Sequence, residues 1–75
     1  MSPGGYGVLL FESVSAALAA EKILKDRGIP NKLIPVPKHI SSDCGVCLRL
    51  AADDLGRATD ALAGKVKVVA VQRLP

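Results

Sequence analysis

The sequence predicts an α+β fold: a ferredoxin-like βαββαβ sandwich, with two helices on one face of a four-stranded antiparallel sheet. Three observations carry this. Short apolar runs and helical periodicities succeed one another as strand, helix, strand, strand, helix, strand. Each half of the chain repeats the series strand, polar cap, helix, glycine, strand. The composition is 49% hydrophobic but only 3% aromatic, so the core must be aliphatic and closely packed. A chain of 75 residues makes one domain the expectation, with residues 1–5 a flexible lead and a core over about 6–73. A homodimer would add buried area, but nothing in the sequence requires one.

Tyr6 to Phe11 is an apolar run of strand length. Ser13 or Ser15 can cap a helix over 14–27, where Ala16, Ala17, Ala20, Ile23 and Leu24 recur at helical spacing. Its alanines allow close approach to a sheet, and Gly28 stands where a left-handed cap is expected. Asn31 to Val36 reads as a second strand. Pro35 and Pro37 near its end place it at a sheet edge, because proline has no N–H for a ladder. Lys38 to Gly45 is a loop. In the third strand, Val46 to Leu50, Val46, Leu48 and Leu50 alternate with Cys47 and Arg49. Asp53 or Asp54 is expected to cap a second helix bearing Leu55, Ala58 and Leu62, with Gly64 ending it. Val66 to Val71 reads as the last strand, and the first and third strands should be central.

The net charge of +3 is mild, and the lysines and arginines are scattered along the chain. Nucleic acid is therefore not the expected partner. No apolar stretch is long enough to span a membrane and no secretory signal is evident, so the cytoplasm is the expected location. A reducing compartment argues against a structural disulfide, and the two cysteines call for another role.

Ser41-Ser42-Asp43-Cys44-Gly45 is the leading candidate site. Cys44 precedes a glycine in a loop that leads into a central strand, and loops on rigid scaffolds carry function. If Ser41 or Ser42 caps a short turn, free backbone N–H groups would favour the thiolate. Asp43 would oppose that, and Lys38 or Arg49 could offset it. The alternative is that Cys44 is only a small turn residue. Cys47 completes a Cys-x-x-Cys spacing, but this one opens a strand rather than a helix. Fully extended, the two Cα atoms would be about 10 Å apart, whereas a disulfide needs less than about 7 Å. By alternation Cys47 shares a face with Arg49, and it reads equally as a small strand residue. His39, Cys44 and Cys47 make three ligands, one short of a closed zinc site. The serines read as caps, since no histidine–acid partner is evident for them.

Phe11-Glu12-Ser13, Ala17 to Lys22, Gly28-Ile29, Pro35-Val36-Pro37-Lys38 and Ile40 to Gly45 occur in that order. Together they resemble the small bacterial selenium/sulfur carrier protein-like family over about residues 6–72. The sequence departs from the family pattern at Lys38, commonly arginine, and at Cys47, commonly a small residue. Lysine keeps the charge but loses the bidentate fork. The resemblance implies a carrier that holds sulfur or selenium on Cys44 as a persulfide or selenopersulfide. Lys38 would stabilise the anionic terminal atom, Ser41, Ser42, Asp43 and Gly45 would form the cargo-holding turn, and Cys47, if close enough to Cys44, would attack and release the cargo while forming a disulfide. Donor and acceptor proteins of sulfur or selenium metabolism are the implied partners. No resident cofactor is expected, and the chain reads as a carrier or accessory protein more than a stand-alone enzyme. A ferredoxin-like regulatory module that binds a ligand or partner and keeps a structural cysteine is the second reading. A thiolate metal-binding protein is the third.

Overall fold

The computed structural model describes residues 5–40 and 45–74. Ser41, Ser42, Asp43 and Cys44, all named above as site residues, lie outside the described residues, as do residues 1–4 and 75. The elements run β1 (Tyr6–Leu10), α1 (Val14–Asp26), β2 (Lys32–Pro35), β3 (Val46–Ala51), α2 (Leu55–Leu62) and β4 (Ala70–Arg73). The strands form one sheet in the order β2-β3-β1-β4, with every neighbouring pair antiparallel. This is the expected ferredoxin-like arrangement: β1 and β3 are central, and the proline-bearing β2 is at an edge.

α1 begins where Ser13 Oγ accepts from the Ala16 N–H at 3.1 Å. It ends at Gly28, whose φ of 70° is left-handed. There the Gly28 N–H donates to Lys25 O at 3.0 Å and the Ile29 N–H to Leu24 O at 2.9 Å. These paired bonds, with Ile29 and Leu24 in one apolar cluster, form a Schellman ending. α1 packs over β3 and β2, and α2 over β1. Between helices and sheet lies the main core: Leu9, Phe11, Leu48 and Leu50 against Ala17, Ala20, Leu24, Leu55, Ala58 and Leu62.

Two expectations need correction. Asp54 stands at the N-cap of α2 but makes no side-chain cap bond. A single 3₁₀ turn over Ala52–Asp54 leads into α2, leaving Asp54 with helical φ and ψ of −94° and −7°. Capping needs an extended residue there, and the Asp54 carboxylate instead accepts from Arg57 at 2.7 Å. The last strand is Ala70–Arg73, not Val66–Val71. Val66 and Val68 do alternate inward, but they pack against the helix-side core as the chain crosses from α2 to the sheet. Contact with β1 starts only where the Val69 N–H donates to Leu10 O at 2.8 Å. Among the described residues, no helix is long and apolar enough to cross a membrane.

Candidate functional site: the cysteine loop

The connection from β2 to β3, residues 36–45, carries the candidate site. Its neck is closed by the Val36 N–H donating to Gly45 O at 3.1 Å. A turn follows in which the Ile40 N–H donates to Pro37 O at 3.0 Å. That turn aims Ile40 at the sheet face opposite the helices, where it joins Val8, Leu10 and Cys47 in a second apolar cluster flanked by Ile34, Val36, Ala70 and Leu74. Burying a side chain of this size stabilises by roughly 2 kcal/mol. The loop is therefore held at two points on the described side of the cysteine turn, its neck and its Ile40 plug.

Cys47 lies on this face, as its alternation with Leu48 predicts. It faces Leu10 of β1 and Ile34 of β2 across the ladders. Its exposure is 0%, so in this state neither a protein donor nor a solution reagent reaches its sulfur. Arg49 stands two residues along the same face, its guanidinium carbon 4.5 Å from the centroid of the Tyr6 ring. It turns towards β1 rather than towards the loop neck.

Lys38 and His39 are exposed in the loop, and Gly45 is exposed at its end. The left-handed glycines among the described residues are Gly5, Gly28 and Gly64. Gly45 contributes its carbonyl to the neck instead. The structure thus brings together Val36, Ile40, Gly45 and Cys47; among the described residues it does not bring His39 into a ligand cluster. No group of three or more His, Cys, Asp or Glu that could hold a metal gathers among the described residues.

Sequence reasoning missed the anchoring residues. The available signal was Ile40 itself, one large aliphatic residue in an otherwise polar stretch between Pro37 and Gly45. An isolated apolar residue in a loop over an uncovered sheet face is a natural plug.

The chain matches the family described as "Putative Se/S carrier protein-like" over residues 6–71, a span that contains the whole loop and both cysteines. No curated protein and no solved structure gives a significant match.

Proposed function

The chain belongs to the Se/S carrier protein-like family, and from that membership we propose that it carries a sulfane sulfur or selenium on Cys44. The observation that supports this choice of residue is the burial of Cys47. A carrier needs a thiol that a donor can reach, and of the chain's two thiols Cys47 is enclosed between β1, β2 and Ile40.

The loading step is a thiol exchange. Cys44 thiolate attacks the terminal sulfur of a donor persulfide, a new S–S bond forms at Cys44, and the donor leaves as a thiolate. No net electrons are exchanged, so no oxidant is needed. Lys38 is an exposed cation in the same loop, suited to the negative terminal atom. Delivery has two routes. An acceptor thiolate can take the terminal sulfur in the same manner. Alternatively, Cys47 attacks Cys44 Sγ, releasing hydrosulfide and leaving a disulfide that an external dithiol must reduce. The second route requires the Ile40 plug to lift first.

Site-resolved alkylation by iodoacetamide tests this reading. Cys44 should react quickly, with an apparent pKa below the ordinary thiol range. Cys47 should react about 100-fold more slowly in the native protein, consistent with a local opening of about 3 kcal/mol. Both should react alike in denaturant. A sluggish Cys44 would move the assignment to a binding module with a structural cysteine.

A further inference from the structure

The sheet segregates charge in a way the linear sequence conceals. The charged residues within the strands are Lys32, Arg49 and Arg73, all cationic. The described carboxylates lie elsewhere: Glu12 between β1 and α1, Glu21 and Asp26 in α1, Asp53 and Asp54 in the 3₁₀ turn, and Asp60 in α2.

Lys32 and Arg49 are direct cross-strand partners, on the face opposite the helices. Like charges directly opposite each other on a sheet are destabilising. Neither joins any of the described ion pairs, which link Lys25 to Glu21, Arg57 to Asp54 and Lys67 to Glu12. Next along this face are the exposed Gln72, whose β1 partner Val8 is buried in the Ile40 cluster, and Tyr6 under the Arg49 guanidinium. The Ile40 plug covers the other half of the face. What remains exposed on this face is a cationic patch of Lys32 and the half-buried Arg49 with Tyr6 and Gln72, three ladder positions along the sheet from the Pro35–Val46 pair at the loop neck.

We propose that Lys32 and Arg49, with Tyr6 and Gln72, form the docking surface for an acidic patch on the protein that exchanges cargo with the loop. This rests on the carrier reading for the partner's role, and on charge complementarity for its chemistry. A carboxylate placed between Lys32 and Arg49 would relieve their repulsion, so this part of the sheet gains in the complex what it loses in the free protein. A protein fits better than a nucleic acid. Single-strand binders stack bases on several free aromatic faces, whereas Tyr6 is the one aromatic here and Arg49 already occupies its ring.

The test uses amide chemical-shift mapping with a deca-glutamate peptide, and separately a single-stranded oligothymidine, as probes. Wild type should show saturable shifts from the peptide centred on Tyr6, Lys32, Arg49 and Gln72. Lys32→Glu should weaken peptide binding about fivefold, since each exposed pair contributes modestly and reversal counts it twice. Lys22→Glu, the same charge change on exposed α1 surface, should have less than about half that effect. Equal weakening by both variants, or shifts spread over the helix layer, would show a net-charge effect and overturn the proposal. So would tighter binding of the oligothymidine. Repeating the titration with Cys44→Ser separates the two readings. Docking that survives there, alongside failed cargo loading in wild type, would sink the carrier assignment alone.

Discussion

Cys44→Ser should abolish retention of sulfane sulfur and leave the fold intact. Exposed to a low-molecular-weight persulfide, desalted and weighed intact, wild type should hold one added sulfur. The serine variant should hold at least ~100-fold less, because a hydroxyl is not activated as a nucleophile at neutral pH without an adjacent base. Cys47→Ala is the informative companion. Its sulfur packs with Val8, Leu10 and Ile40, so its loss leaves a small void and lowers stability. It should nevertheless load like wild type, since loading does not use it. The variants diverge at delivery. If Cys47 releases cargo, wild type given time should shed hydrosulfide and acquire an internal disulfide, while Cys47→Ala keeps its sulfur until an acceptor thiol arrives. Equal retention by wild type and Cys47→Ala would assign delivery to the acceptor alone. Loading that survives in Cys44→Ser would remove the carrier assignment.

What the sequence made legible follows a physical division. Local signals worked. Ser13 caps α1, Gly28 ends it in a left-handed residue, and Pro35 keeps β2 at the edge. Each needs only a few neighbouring residues to act. Signals that depend on register or on a distant partner were not legible. The alternation of Val66 and Val68 reports that one side faces the core, but it cannot say whether the other requirement of a strand, a ladder partner, is met. Lys32 and Arg49 are 17 positions apart in sequence and become opposites only through the β2–β3 register. The same applies to the site. The cysteine turn stands out by composition, whereas its support, Ile40 seated against Val8, Leu10 and Cys47, depends on a sheet face that exists only once the chain has folded.

Gly7 belongs to that second class, and its replacement should be the most damaging small change in the described structure. In the sequence it is one glycine in an apolar strand. In the fold it lies opposite Leu50 on the helix-facing side of β1, where the first residue of α2 rests directly on the strand. A Cβ at Gly7 would lie 2.5 Å from Leu55 Cδ1 and 3.1 Å from the backbone oxygen of Gln72. Leu55 is itself buried in the core and cannot swing into solvent without loss. The Gln72 carbonyl belongs to β4, which the ladder fixes against β1. Gly7→Ala must therefore push α2 or β4 outward, at a cost of roughly 2 kcal/mol for overpacking. Gly56, one position into α2, is the matched control. A Cβ there meets nothing within 4 Å, and its φ is not left-handed. Gly56→Ala should stabilise by about 0.5–1 kcal/mol through lower chain entropy in the unfolded state. For a domain of this size the first change should lower Tm by about 10 °C and the second raise it by about 4 °C. Thermal unfolding followed by circular dichroism reads both. Shifts of the same sign would mean that α2 does not pack on β1 through Gly7, and the placement of the second helix would have to be revised.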